Sequence, residues 1–150
     1  MRFAVERSVQ IRRTPAAIYG FLAEVANHPR LEEGVVSMRA LASGPLQVGT
    51  PLEVVRALPG IHLGRITSRY EVSALERDRR FGFTGTLGPL RGTGDYVIEP
   101  DGLTGARVTI RISATTSAGF AILAPLIRRF LERNAIRNLA SLKRLLESES

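Results

Sequence analysis

Cysteine is absent from this sequence, and so are long apolar runs. Without cysteine the chain has no disulfides, no thiolate metal site and no cysteine nucleophile. No apolar stretch approaches the ~18 residues that cross a bilayer. The first residues, MRFAVERSV, contain Glu6 where a signal peptide would have its apolar core. We therefore expect a cytoplasmic protein without a membrane span.

Lysine is nearly absent too, although the chain is basic. Lysine and arginine together number 21 against 14 acidic residues, a net charge of +7, and Lys143 is the only lysine. Arginine suits bidentate recognition of phosphate, which raises nucleic acid as a partner. The arginines are nevertheless spread over the chain, and the largest groups are pairs such as Arg12 with Arg13. We expect a solvated basic surface with no specific nucleic-acid partner and weak binding to polyanions at low salt.

Histidine is scarce, and no cofactor motif is present. His28 and His62 lie far apart with no acidic motif between them, so they do not have the spacing of a metal site. The glycine-rich residues 82–88 precede a predicted strand instead of a helix, which argues against a phosphate-binding loop. We expect neither a metal nor a cofactor.

The sequence does have enough apolar material for one globular domain, residues 1–150. It is 44% apolar and 23% charged over 150 residues, and a chain of this length buries roughly 70% of its unfolded surface. No linker or repeat divides it. We expect a single domain that is a monomer or a homodimer.

Residues 120–146 have the most sustained periodicity in the chain, and they predict a long amphipathic helix. A helix of ~27 residues is about 40 Å long and must lie across something wide. Asn134 and Asn138 fall inside its apolar face, which makes them candidates for a polar function. Side chains at helical spacing form that face: Leu123, Ile127, Phe130, Leu131, Ala135, Leu142 and Leu145.

The preceding residues alternate between strands and short turns. A helix is predicted after Thr14, which suits an N-cap, and Pro15, which suits the first helical position. Strands are predicted over 3–12, 35–42, 52–58, 61–75, 80–86, 91–99 and 106–115, with a bend or bulge near Gly64. Short turns imply antiparallel pairing, and helices placed at the ends of the chain favour the α+β class. The long helix would cover the apolar face of the sheet.

Several segments carry a resemblance to a known superfamily. Residues 14–22 (TPAAIYGFL) resemble its polar-Pro-x-x-Val-Trp-x-x-Leu motif, and residues 44–50 (GPLQVGT) its Gly-Pro-x-x-x-Gly-Thr turn. Residues 94–100 (GDYVIEP) with 105–109 (GARVT) are similar to its penultimate strands. Residues 138–147 (NLASLKRLLE) match its Asn-Leu-x-x-Leu-Lys-x-x-Leu-Glu ending. The chain thus resembles the START-like, birch-pollen-allergen-like (SRPBCC) superfamily, which includes the polyketide cyclase/dehydrase type.

This resemblance implies a helix-grip fold, in which a curved seven-stranded antiparallel sheet wraps around a long C-terminal helix with a cavity between them. Members bind or transport lipids, sterols, polyketides and hormones, and a minority are cyclases or related enzymes. The chain departs from the pattern at Leu31, where the family favours tryptophan. The missing indole would change the wall of any cavity.

Strand alternation suggests which polar side chains enter such a cavity. With Leu52 and Val54 inward, Arg56 also points inward, where its guanidinium could orient a ligand oxygen. The simpler interpretation, which we favour here, is a strand-end arginine that reaches solvent, because buried arginine is uncommon without a partner. The same alternation places Tyr70 and His62 inward.

The other candidates have structural alternatives. His62 suits a general base by its pKa but stands beside a predicted turn, and His28 is weaker still. Tyr96 could bond a ligand carbonyl, although such a tyrosine more often bonds to backbone. Asn138 fits a structural role better, and Asn134 is open. The predicted ligand-binding residues are Arg56, His62, Tyr70, Phe83, Tyr96, Leu123, Ile127, Phe130 and Asn134, and no catalytic residue is assigned.

Three functions remain open. The first is a protein that holds a hydrophobic or amphipathic small molecule, such as a lipid or polyketide, in an internal cavity. The second is a polyketide cyclase or dehydratase that uses tyrosine, histidine or cavity water for proton transfer. The third is an interaction protein whose cavity is vestigial. We favour the first.

Overall fold

The computed structural model describes residues 1–57 and 64–148. Two 3₁₀ helices accompany the regular elements, the first at Val25–Arg30 and the second at Ala118–Leu123. None of the helices described is long and apolar enough to cross a membrane. The strands and α-helices are β1 (Arg2–Ile11), α1 (Pro15–Ala23), β2 (Val35–Ala40), β3 (Pro51–Ala57), β4 (Arg65–Glu76), β5 (Arg80–Leu87), β6 (Leu90–Asp101), β7 (Gly105–Thr115) and α2 (Ala124–Ser148).

The seven strands form one antiparallel sheet in the order β1-β7-β6-β5-β4-β3-β2. Strands β2 to β7 pair with their neighbours in sequence, as short turns require, and β1 joins the far edge beside β7. Helix α2 packs mainly on β1 and β7, whereas α1 and the first 3₁₀ helix cover the middle and the β2 edge. The α+β class and the helix-grip architecture expected from the sequence are confirmed.

Helix α1 begins where its capping signals predict. The side chain of Thr14 accepts a hydrogen bond from the backbone amide of Ala17 at 3.2 Å, which satisfies a donor that the first turn leaves free. Pro15 occupies the first helical position, where no amide hydrogen is needed. The apolar face formed by Ile18, Phe21 and Leu22 is buried against the sheet.

Strand β4 is shorter in the described residues than predicted, and its pairing with β5 is irregular at one point. It begins at Arg65, and residues 61–63 of the predicted strand lie outside the described residues, as does Leu58 of the preceding one. A shift in register occurs between Val72 and Ala74. The bend or bulge predicted near Gly64 borders residues 61–63, which lie outside the described residues, so it stays a prediction.

The long helix also begins later than predicted. Residues 120–123 belong to the second 3₁₀ helix, and α2 starts at Ala124. Pro125 explains the break, because deep inside a helix proline removes a hydrogen bond and its ring clashes with the carbonyl four residues earlier. In the first turn of α2, proline costs little.

Only the later part of α2 is buried. Leu123 and Phe130, expected on the covered face, are exposed, and Ile127 is half-buried. The N-terminal part of α2 thus extends beyond the cover that the sheet provides. The core-facing residues of the helix are Leu131, Ala135, Asn138, Leu139, Leu142 and Leu146.

Candidate ligand-binding cavity

A cavity of about 120 Å³ lies between α2 and the concave face of the sheet. For comparison, an apolar cavity of about 150 Å³ admits benzene. The space therefore suits one ring or a short branched chain. Its apolar wall consists of Phe83, Leu87, Leu90, Ile110, Ile112, Ala114, Phe130 and Leu131.

Glycines on β5 and β6 leave the space open. Gly85, Gly92 and Gly94 all line the cavity. A Cβ atom on Gly85 would lie 2.3 Å from the ring of Tyr70, so this glycine allows the tyrosine to pack flat against the sheet. A Cβ atom on Gly94 would meet no atom within 4 Å. Gly94 is thus the position at which a larger side chain would enter the cavity without a clash.

One end of the cavity is polar because Arg56 points into it. Its Nη2 donates to Glu32 Oε2 at 3.1 Å and to the hydroxyl of Tyr70 at 3.3 Å. The side chains of Arg56 and Glu32 are only 16% and 10% exposed. Burial lowers the pKa of Arg56, but Glu32 and Tyr70 more than offset this, so the pKa is raised and the guanidinium stays charged. The favoured interpretation of Arg56 as a solvent-reaching residue is wrong, because Glu32 supplies the missing partner.

Tyr96 presents a buried hydroxyl to the same cavity. The side chain is 1% exposed, and the hydroxyl makes no hydrogen bond of normal geometry among the described residues. The side-chain amide of Asn138 is close enough to interact with this hydroxyl. Burial, and then the charge of Glu32, raise the pKa of Tyr96 far above its usual value. The phenol therefore stays protonated and remains a potential donor to a ligand.

Of the two helix asparagines, Asn138 has a structural role. The side-chain amide is oriented so that its nitrogen faces acceptors and its oxygen does not. In this orientation the nitrogen donates to the backbone carbonyls of Leu31 at 3.3 Å and of Asn134 at 3.1 Å. It therefore ties α2 to the segment that follows the first 3₁₀ helix. Asn134 lines the cavity, and its amide nitrogen donates to the carbonyl of Phe130 at 3.0 Å.

His28 is fully buried, yet it does not line the cavity. Its Nε2 is 2.8 Å from the carbonyl of Leu22, which can only accept, so the hydrogen is on Nε2 and Nδ1 carries the lone pair. Nδ1 has no partner among the described residues. Burial is the main reason that the pKa of His28 is lowered, and the ring is neutral at pH 7. Three aromatic rings surround it: Phe81, Phe83 and Tyr96.

The structure brings six of the nine predicted binding residues around one cavity. Ile127 packs against the core without lining the cavity, and Leu123 lies on the second 3₁₀ helix away from it. His62 lies outside the described residues. The role of each residue in binding stays a prediction. The six that line the cavity are Arg56, Tyr70, Phe83, Tyr96, Phe130 and Asn134.

Sequence reasoning missed Glu32, and it missed the three glycines as cavity-forming residues. Glu32 follows a short 3₁₀ helix, so no periodic pattern points it inward. The one available signal is indirect, because an inward Arg56 requires an acidic partner from somewhere in the chain. Within residues 1–57 and 64–148, no group of three histidine or acidic side chains is arranged to hold a metal. The arrangement can hold an apolar body and direct one polar atom toward Arg56, Tyr70 and Tyr96.

Solved structures with this fold are numerous. The aromatase/cyclase Zhui from Streptomyces sp. R1128 superposes with a TM-score of 0.81 over 98% of this chain and 94% of its own, at 14% identity. A START superfamily protein from Mycobacterium smegmatis superposes with a TM-score of 0.80 over 98% of this chain and 99% of its own, at 10% identity. TTHA0849 from Thermus thermophilus superposes with a TM-score of 0.78 over 99% of both chains, at 20% identity. At these identities the likeness shows the fold alone.

No protein of curated function matches the chain. A family model does match, over residues 2–147, and it describes polyketide cyclases, dehydrases and lipid transport proteins. The match covers every strand and all but the last residue of α2. The chain belongs to the polyketide cyclase/dehydrase and lipid transport family.

Proposed function

We propose that this protein binds a small amphipathic molecule in the cavity beneath α2 and acts in the cytoplasm. The observation that carries the proposal is the pairing of an apolar wall with a buried, charged guanidinium at one end. Ligand sites commonly combine an apolar body with a few convergent polar groups. The family and its structural neighbours support a ligand-binding fold.

The cavity volume limits the part of the ligand that is enclosed. About 120 Å³ accommodates a single ring. Phe130 both lines the cavity and is exposed, so the opening lies beside it. A longer ligand would extend past Phe130 into solvent. One aromatic ring buries about 150–250 Å², which corresponds to about 4–6 kcal/mol before the costs of association. The apolar term alone therefore gives weak binding, and the polar end has to contribute.

Charge favours a neutral polar group on the ligand. Glu32 already balances Arg56, so the polar end has no net charge. A ligand carboxylate would add a second buried anion with no cation to match it, which is costly. A carbonyl, hydroxyl or phenol oxygen can accept from Tyr96 or Arg56 without that cost. We therefore propose a neutral ring compound with an acceptor oxygen.

Matched pairs of neutral and anionic ring compounds test the proposal. Calorimetric titration of benzaldehyde and acetophenone against benzoate is expected to show tighter binding of the neutral members. Gly94→Leu should abolish binding, because the new side chain enters the cavity without a clash elsewhere. Gly94→Ala is the matched control and should retain part of it. Equal binding by the protein and its Gly94→Leu variant would place the ligand elsewhere.

A cyclase or dehydratase is the second candidate. It is favoured by the protonated hydroxyl of Tyr96, which faces the cavity together with a charged Arg56. Such a pair can hold an enolisable carbonyl and stabilise, through hydrogen bonds, the negative charge that develops on its oxygen. The structurally similar Zhui is an aromatase/cyclase. Turnover of a poly-β-carbonyl substrate that is lost in Tyr96→Phe, with binding retained, would establish this function.

A further inference from the structure

An exposed apolar surface lies where the second 3₁₀ helix meets α2. Ile122 is 88% exposed and Leu126 is 63% exposed, one turn apart, and Phe130 follows one turn later. Elsewhere in the described residues, exposed large apolar side chains are scattered singly. A contiguous group of this kind commonly marks an interaction site. We call it the apolar ridge, and it comprises Phe120, Ile122, Leu123, Leu126 and Phe130.

Cations continue the same helix face. Arg129 and Arg133 stand three and seven residues after Leu126, which is helical spacing, and both are exposed. Neither pairs with an acidic side chain in the part of the chain that the structure describes. The nearest acid in sequence, Glu132, stands three residues after Arg129 and forms an ion pair with Arg7 at 3.7 Å. The ridge is therefore followed by unbalanced positive charge.

We propose that the apolar ridge, with Arg129 and Arg133, binds the surface of an anionic lipid bilayer. Apolar side chains at one end of a helix can enter the boundary between headgroups and acyl chains, while adjacent arginines contact lipid phosphates. The net charge of +7 attracts the whole protein to such a surface. Phe130 belongs both to the ridge and to the cavity wall, so the docked protein presents its cavity opening to the bilayer. This inference goes beyond the proposed ligand binding and does not depend on it.

Charge also argues against a second copy of the chain as the occupant. A symmetric dimer buries the same patch of both subunits against itself. Two such ridges in contact would bring four unpaired arginines near one another, and like charges brought together oppose association. An anionic bilayer supplies the opposite charge and an apolar interior at the same time.

Flotation with lipid vesicles tests this proposal. The probes are vesicles of phosphatidylcholine alone and of phosphatidylcholine with 30% phosphatidylglycerol, at low and physiological salt. We expect binding to the anionic vesicles and a decrease of at least tenfold in the double variant Ile122→Ser/Leu126→Ser. Arg129→Gln/Arg133→Gln should weaken binding about thirtyfold, since each arginine near the surface contributes roughly fivefold. Both pairs are solvent-exposed, so the fold is retained.

Leu103→Ser is the matched control, because Leu103 is fully exposed in the turn between β6 and β7. It should bind vesicles as the unchanged protein does. Three results would overturn the proposal: no binding to anionic vesicles, equal binding by the ridge variant, or a dimer that the ridge variant abolishes without any vesicle binding. Gly94→Leu should leave vesicle binding unchanged, which keeps this test separate from the test of the cavity.

Discussion

Neutralising Glu32 is the perturbation whose effect the structure specifies best. In Glu32→Gln, Arg56 loses its only acidic partner among the described residues and keeps its charge inside the cavity. The two ions are 3.1 Å apart, and Coulomb's law at an effective dielectric constant of about 20 gives roughly 5 kcal/mol of attraction. Removing one partner of a buried pair costs about 3–5 kcal/mol. Because some solvent reaches this pair, we expect the lower end, about 3 kcal/mol.

A loss of that size should be plain in thermal unfolding. For a chain of this length, 1 kcal/mol corresponds to about 2–4 °C in Tm, so Glu32→Gln should lower Tm by about 6–12 °C. Glu53→Gln is the matched control, because Glu53 pairs with Arg39 at 3.0 Å on the surface and such pairs contribute about 0–1 kcal/mol. The comparison therefore isolates burial as the variable.

A double variant separates the interaction between Glu32 and Arg56 from the contacts that each residue makes with other groups. Glu32→Gln/Arg56→Met removes both charges and should be more stable than Glu32→Gln alone, since no uncompensated ion remains. Chemical denaturation of the unchanged protein, Glu32→Gln, Arg56→Met and the double variant measures the coupling. If Glu32→Gln costs no more than Glu53→Gln, or if the two substitutions simply add, our account of the polar end is wrong.

Three further predictions concern stability. Gly85→Ala should lower the unfolding free energy by about 1–3 kcal/mol, because its methyl group overlaps the ring of Tyr70. Gly94→Ala should change the unfolding free energy by less than about 1 kcal/mol. Equal costs of the two substitutions in urea unfolding would refute this difference. His28 has a lowered pKa in the folded state, so the unfolded chain binds more protons and Tm should fall as pH drops below about 6.5. That slope should be reduced in His28→Gln, and an unchanged slope would assign it to other groups. Thr14→Ala should cost about 1 kcal/mol through loss of the helix cap, whereas Thr14→Ser should restore most of it.

The fold was predictable because its signals are local. Alternation along β3 correctly placed Arg56 on the same face as Leu52 and Val54, and the observed register pairs Leu52 with the buried Tyr70 of β4. Helical periodicity likewise found α2. Pro125 was visible in the sequence and marks the point where α2 begins, but the apolar periodicity runs through it. Periodicity reports which side chains share a face and leaves open how far the sheet extends to cover it.

The site was less predictable because its contacts join distant segments. Glu32 and Arg56 are 24 residues apart in sequence, and only the tertiary fold brings them together. The sequence offers His28 only as a weak catalytic candidate, and the structure buries it among aromatic rings on the first 3₁₀ helix. Burial of one polar side chain in a short 3₁₀ helix leaves no pattern in neighbouring residues, so alternation rules could not find it.

Native mass spectrometry of gently purified protein tests the central claim most directly, with the unchanged chain and Gly94→Leu prepared side by side. Our account predicts a discrete bound molecule on the unchanged protein, identified after denaturing extraction as a neutral compound with a ring and an acceptor oxygen. It predicts no such molecule on Gly94→Leu, whose side chain occupies the cavity. The same molecule on both proteins, or an empty protein that also binds none of the neutral ring compounds, would contradict it.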